Sequence, residues 1–528
     1  MIPFIFITKD EFKKVIFFKY PLIKYVKMIF WYCLYAAAIY YIYKNPVSYF
    51  EDWNFPVAFI FLSSVIIFLS FVIRIILVRL PEELKEDEVI EENFRKNTSV
   101  LIPCHNSHDI IEETIKSCLR HYDAENIYIA ENENNPEPKE STTKDFAEKY
   151  GVNYSYIPRG NKANAMKIVL NDIKTKYVIT LDDDTLFPEK FVPKEDYFNE
   201  DKRVAGIAFM IRMKDQDSIL RQLIDEDYKL YNFFNYTKNY STIPFIVGIG
   251  GIWRTDLFKI ATEINPADDI VPYGNDGYEG MILRLNNYKM KQDMQNHVLS
   301  YCPDRLYFSI WEILGYGKKI SGYGATNLWK QRSLRWFRSS FAKFFINIYL
   351  LFTYYSKGKT TFQTIVQNFH YRIVNLYSLF LTVLALFVPF LIYYNIKNYK
   401  DYLYLHLGLY IIGVIIMILC RLILFRNRKD LWPRYISIIL YPLFTTYIMF
   451  LRVFAFVGTL LFYLPFYLNI RFCTCCRYHE SRIRKIMEER LENETPGDEQ
   501  EIEEVIIEVD EAEENVVELV VIEEENPN

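Results

Sequence analysis

This 528-residue chain is poor in cysteine: eight are scattered at 33, 104, 118, 302, 420, 473, 475 and 476, and no pair shows zinc spacing with a matching second pair. That excludes a zinc-held scaffold. Cys473-Thr474-Cys475-Cys476 follows the last apolar tract and reads as reduced thiols rather than as palmitoylation sites. The first apolar run starts late and lacks a small-x-small cleavage site, which argues against a removed signal peptide. Internal repeats are missing, and charges inside the long apolar runs are scarce, chiefly Arg74 and Arg452 near their ends. Both absences count against a transporter or channel.

What the chain has in quantity is apolar and aromatic surface: 51% of residues are hydrophobic and 17% aromatic, with 43 Tyr and 41 Phe. Runs at 25–43, 55–78, 373–396 and 402–425 come close to or pass the roughly 20 apolar residues that a bilayer crossing needs, and a last tract, 435–470, is too long for one span. A multi-pass integral membrane protein is expected, with the plasma membrane as its place. Lys9, Lys13, Lys14, Lys19, Lys24 and Lys27 precede the first run, and Arg74 and Arg79 close the second, so the N-terminus and everything after Arg79 should face the cytosol. Arg421, Arg426, Arg428, Lys429 and Arg434 mark a further cytosolic loop. The net charge of −5 hides an asymmetry: residues 487–528 hold eighteen acids against Arg490 alone, which leaves the rest near +12. A basic body suits anionic lipid and nucleotide sugars; no nucleic-acid partner is expected. The organisation that follows is 1–79 with two spans, 80–337 as a cytosolic domain, 338–372 as interfacial helices, 373–470 as the C-terminal spans, and 471–528 as an acidic, disordered tail.

Within the cytosolic block, strands are predicted over 98–102, 126–130, 152–157 and 177–181, alternating with helices over 109–121, 143–150 and 162–174. That order implies an α/β fold with a parallel sheet, whose ligands sit beyond the carboxyl ends of the strands. Four polar loops stand there: Pro103-Cys104-His105-Asn106, Glu131-Asn132, Arg159 to Lys162, and Asp182-Asp183-Asp184. On an extended backbone Asp182 and Asp184 project to one side. Magnesium or manganese commonly takes one or two carboxylates plus substrate phosphates, so this pair is a candidate metal site; a helix cap or solvated loop is the plainer alternative. Lys162 opens a helix and suits a diphosphate, or is simply a surface lysine. Glu131 suits ribose or base, or is a solvated loop acid. An acceptor hydroxyl needs a carboxylate to take its proton. Asp276, in Gly274-Asn275-Asp276-Gly277, is one candidate and doubles as a helix cap; Glu279 is its rival.

These residues resemble the membrane-embedded family-2 glycosyltransferases, the group of hyaluronan, chitin and cellulose synthases, over roughly 20–470, closest in pattern to the hyaluronan/chitin branch. V-L-I-P-C-H-N is similar to the family's first strand and nucleotide loop, R-G-N-K-A-N-A-M to its G-K-x-x-A-M segment, and Asp182-x-Asp184 to its metal motif. G-I-G-G-I-W-R at 248–254 is similar to its acceptor segment, without the Ser and Pro. The spacing of Asn275-Asp276 to Tyr288 favours Asp276 as the base, and Q-R-S-L-R-W at 331–336 resembles the Q-x-x-R-W box with Arg332 in the Gln position.

The resemblance implies a GT-A domain, Rossmann-like and mostly parallel, inserted between transmembrane helices. It implies a processive, inverting enzyme that polymerises a UDP-sugar (UDP-GlcNAc, UDP-GlcA, less so UDP-Glc) into a β-linked polysaccharide and exports it. Donor contacts fall to Pro103, Glu131, Lys162, Asp182, Arg332 and Arg335, acceptor contacts to Trp336, Gly250 and Gly251, the metal (Mg2+ or Mn2+) to Asp184 and Asp182, and base catalysis to Asp276. The partners are the donor, the growing polysaccharide and membrane lipid. A W-G-T-R-type loop, which continues that branch, has no counterpart here. A non-processive transferase acting on lipid or protein, and an inactive scaffold, are the alternatives.

Overall fold

The computed structural model describes residues 78–105, 107, 110–133, 142–158, 162–265, 275–303, 305–306, 327–337, 344–355, 360–376 and 399–458. The chain divides into Met1–Tyr463 and Leu464–Asn528, the second wholly outside the described residues. The expected spans at 25–43 and 55–78 (but for Val78), most of 373–396, the end of 435–470, the acidic tail and the loop residues Asn106 and 159–161 also lie outside them.

Eight strands form one sheet: β1 (Thr98–Cys104), β2 (Ile127–Glu133), β3 (Asn153–Pro158), β4 (Tyr177–Leu181), β5 (Thr185–Leu186), β6 (Val204–Met213), β7 (Gly250–Arg254) and β8 (Lys289–Ser300). Their order is β3-β2-β1-β4-β7-β6-β8-β5. The first four run parallel, as the alternating pattern requires. Every residue of β1 and β4 is buried, the mark of central parallel strands covered on both faces. Helices α1 (Glu92–Lys96), α2 (Ile111–Leu119), α3 (Thr142–Tyr150) and α4 (Lys162–Asp172) lie in this half. In α2 the buried Ile111, Ile115 and Cys118 recur at helical spacing and turn one stripe to the core.

Beyond β4 the parallel expectation gives way to a mixed sheet. β7 is antiparallel to both β4 and β6, β8 is parallel to β6, and β5 is antiparallel to β8. Helices α5 (Asp196–Glu200), α6 (Ile219–Tyr236), α7 (Thr255–Ile264) and α8 (Asn275–Leu285) complete the domain. β8 is polar in sequence yet buried, because its polar groups find partners. The Gln292 amide N–H donates to Asn239 Oδ1 (2.7 Å), and the Asn296 side chain donates to Asp293 Oδ2 (2.7 Å) and the Val192 carbonyl (3.0 Å).

After this domain come an irregular helical segment, Lys330–Phe337, and the helix Phe344–Thr353, followed by helical residues 360–376 and the helices Tyr399–Leu419 and Tyr435–Gly458. Among the described residues one stretch, Tyr435–Arg452, is long and apolar enough to cross a membrane; Tyr410–Leu424 is a shorter apolar helix. The loop between the last two helices is seated in the domain. Arg428, 2% exposed, donates to Asp430 through two nitrogens (2.9 Å each) and to the Met294 carbonyl of β8 (2.6 Å). Farther up the chain, buried Arg284 of α8 donates to Tyr371 Oη (3.2 Å) and Asn347 Oδ1 (3.5 Å), tying α8 to both short helical segments.

Candidate active site

β4 ends at Leu181 and the chain turns at once: the Asp182 N–H donates to the Ile249 carbonyl (3.3 Å) and the Thr185 N–H to the Asp182 carbonyl (3.0 Å). The turn gives the three acids different surroundings. Asp183 points back to the loop after β1, where its carboxylate accepts from the Ser107 hydroxyl and the His105 N–H (3.2 Å), and its carbonyl accepts from Thr114 Oγ1 (2.7 Å). It fastens three segments together. Asp182 is ion-paired with Lys162. Asp184 is 1% exposed; Oδ1 accepts from the Thr185 hydroxyl (3.3 Å), while Oδ2 is buried and has no hydrogen-bond partner among the described residues.

Burial first, then the charges of Asp183 and Asp182, push the Asp184 carboxyl well above the usual carboxylate range. Burial raises Asp183 too, against the hydrogen bond from Ser107. Three carboxylates thus share one nearby ammonium, with a buried oxygen left over. Those residues fit a divalent cation held by Asp184 and Asp182 with its remaining places filled by substrate oxygens. Among the described residues no group of three or more His, Cys, Asp or Glu side chains forms a fuller ligand set.

Lys162 is the first residue of α4. Burial pulls its pKa down, but Asp182, Asp276 and Asp183 together outweigh that and hold the ammonium above its ordinary value. Asp276, in the first turn of α8, accepts from the Gly277 N–H through Oδ1 (2.8 Å) and from the Gly248 N–H through Oδ2 (3.2 Å). Gly248 therefore serves two sides of the site. Its N–H fixes Asp276, and its missing side chain leaves room for Lys162, whose Nζ would lie 3.1 Å from a Cβ there. Sequence reasoning included Gly248 in G-I-G-G-I-W-R without giving it a role; a glycine facing a charged residue is a signal only once the partner is known. Glu279, the rival base, is 2% exposed and accepts from Asn265 Nδ2 (3.3 Å), so it serves the fold.

Glu131 lies at the end of β2, fully buried, and accepts from Tyr154 Oη (2.5 Å), so it is no solvated loop acid. Pro103 requires a correction. It is not a loop residue but lies buried inside β1, opposite Ala130 of β2. The loop's site contacts come instead from His105 and Ser107, which sequence reasoning did not single out.

Gly250 and Gly251 require the same correction. They are buried in β7, and side chains there would meet Val298 Cγ2 at 3.0 Å and Ile246 Cγ2 at 2.3 Å, with the Ile207 carbonyl 3.0 Å from the latter position. Close packing by itself accounts for the lack of a side chain at both positions. Gly251→Ala is expected to cost about 1–3 kcal/mol by overpacking, read as a lower thermal midpoint in detergent, with activity per folded molecule retained.

Arg332 and Trp336 also depart from expectation. Arg332 is 7% exposed and pairs with Asp227 of α6 (2.9 Å), with its guanidinium 4.3 Å from the Trp336 ring centre and 5.6 Å from that of Tyr228. A planar cation thus covers one face of the indole. Asp227 also accepts from Tyr441 Oη (3.4 Å) of the apolar helix, which joins the R-x-x-R-W segment, α6 and that helix. No sequence signal marked Asp227, one acid among several in L-I-D-E-D-Y. The Arg335 side chain lies outside the described residues.

The site thus gathers the carboxylate turn, a lysine against it and a fourth acid, Asp276, on a helix start. Residues 99–260 match glycosyl transferase family 2. The matched segment runs from β1 into α7 and holds Glu131, Lys162, the Asp triplet and Gly248; it stops short of Asp276 and Arg332. Among solved structures, a mannosyltransferase from Pyrobaculum calidifontis in complex with GDP-Man and Mn2+ is similar over 77% of this chain and 97% of its own, at 14% identity and a TM-score of 0.47. Glucosyl-3-phosphoglycerate synthase from Mycobacterium tuberculosis with Mn2+, UDP and phosphoglyceric acid is similar over 45% and 82%, at 14% identity and a TM-score of 0.27. No curated protein matches the chain.

Proposed function

We propose that this protein is a metal-dependent family-2 glycosyltransferase of the GT-A kind that takes a sugar from a nucleoside diphosphate and inverts its anomeric centre. The observation that carries the reading is the joining of Lys162, Asp182 and Asp276 around Gly248, beside the buried, half-satisfied Asp184. The family match to residues 99–260 supports it. Asp184 and Asp182 would hold Mg2+ or Mn2+, which when bound supplies positive charge for the leaving diphosphate. Asp276 takes the proton of the acceptor hydroxyl as that oxygen attacks the anomeric carbon and the bond to the diphosphate breaks. Two backbone N–H groups hold its carboxylate in place for this. Lys162 meets the departing diphosphate oxygens, and buried Glu131 holds the nucleoside end.

For acceptor and setting, we favour a processive synthase of the hyaluronan/chitin kind, with 80–337 as a cytosolic domain between membrane segments. Exposed apolar residues support a bilayer setting: Phe362, Ile365, Phe369 and Leu376 recur along one side of 360–376, and Ile411, Ile415 and Ile418 along the helix beginning at Tyr399. The deciding measurement uses purified full-length protein with radiolabelled UDP-GlcNAc, UDP-GlcA, UDP-Glc and GDP-Man, with Mn2+ or Mg2+. Nucleoside diphosphate release with one donor, and a product cut by chitinase or hyaluronidase, is the expected result. Release with no polymer growth would point to transfer of a single sugar onto lipid or protein. No release with any donor would overturn the enzymatic reading.

A further inference from the structure

The ammonium of Lys162 sits where a donor-bound metal's charge is needed. It contacts Asp182, one of the two carboxylates suited to the cation, and its charge also reaches Asp183 and Asp276. The ammonium is partly buried but not enclosed by the described residues: 38% of its side chain is exposed, and it lies 3.1 Å from where a Cβ at Gly248 would stand. Asp184, by contrast, keeps a buried oxygen that has no donor among the described residues. The site therefore has one carboxylate engaged by an internal cation that is able to leave and one that is not engaged.

Resting on the transferase reading above, we propose that Lys162 is a built-in counter-ion that occupies Asp182 until a metal–nucleotide complex displaces it, so that metal and nucleoside diphosphate enter together rather than metal first. A divalent cation arriving alone must separate the ammonium from Asp182 and adds its charge beside it, in surroundings where like charges a few ångströms apart repel strongly. A cation arriving on a diphosphate brings anionic oxygens with it, and the ammonium exchanges a carboxylate for a phosphate with little change in net charge. The same lysine then faces the leaving group. Gly248 is what permits the exchange, since a side chain at that position would crowd the ammonium in its resting place.

Mn2+ titration of the nucleotide-free, full-length protein, followed by the electron paramagnetic resonance signal of free Mn2+, tests this directly. Lys162→Gln is expected to bind Mn2+ about tenfold more tightly than the unaltered protein, and Gly248→Ala to shift affinity the same way by less. Adding UDP should tighten Mn2+ binding strongly in the unaltered protein and only weakly in Lys162→Gln. Lys162→Gln binding Mn2+ no better than the unaltered protein, or showing the same gain from UDP, would overturn the proposal. Should Lys162→Gln not fold, Gly248→Ala decides the matter by the same criterion. The nucleotide-free titration involves no turnover, so absence of sugar transfer with every donor would sink the transferase reading while leaving the metal result to be read separately.

Discussion

Asp276→Asn is expected to lower turnover by about 10²–10⁴-fold, the range over which a positioned base contributes, while leaving the fold and the donor KM nearly unchanged. The amide keeps one oxygen that can accept from the Gly248 or Gly277 N–H, so the start of α8 retains its cap, and only the proton acceptor is lost. Steady-state release of nucleoside diphosphate, with circular dichroism as the folding check, measures both. Full activity in Asp276→Asn would remove the base assignment. Glu279→Gln is the matched control, because Glu279 is buried against Asn265 and away from this role.

Asp184→Asn is expected to have the next largest effect, and in opposite directions for activity and stability. Removing the buried anion takes away a metal ligand and should lower metal-dependent turnover by about 10²–10³-fold, as the loss of a preorganised charge-stabilising group does. The metal-free fold should gain. Asp184 is held above its ordinary value of 3.8 by burial and by Asp183 and Asp182. The folded chain therefore keeps a proton there that the unfolded chain releases, and metal-free stability falls as pH rises above 3.8 toward the folded value. Asp184→Asn removes that slope, so its thermal midpoint at neutral pH should exceed that of the unaltered protein without metal. Mn2+ should close the gap by stabilising only the protein that binds it, by about 2.7 kcal/mol at a hundredfold excess over Kd. A steeper pH slope in Asp184→Asn, or unchanged turnover, would refute this account.

The first half of the sheet was legible from local pattern. The strand at Tyr177–Leu181 starts and ends as read, and the helix opening at Lys162 starts where predicted, because apolar runs and helical periods are properties of neighbours in sequence. β6, β7 and β8 were not read. β8 has the composition of a loop, and what buries it is a set of amide partners far away in the chain. The same limit governs the site. Asp182 and Asp184 were visible because two carboxylates at a strand end are unusual anywhere. Arg332 and Trp336 were visible as a motif, but not their use, since which acid neutralises an arginine depends on the path of α6. Gly250 and Gly251 were read as contacts because glycine suits a ligand and a packed neighbour equally well, and the packed neighbour, Ile246, comes from outside their own strand.

Arg428 carries a consequence for how the chain is made. Its guanidinium bonds the Met294 carbonyl of β8, yet it lies 134 residues farther along the chain. A ribosome delivers the domain first and the side chain that completes it only after the helix beginning at Tyr399 has been synthesised. Until then a buried carbonyl of β8 waits without this donor. A chain cut short of Arg428 therefore lacks one donor that the sheet uses, and the β8 carbonyl must be satisfied some other way.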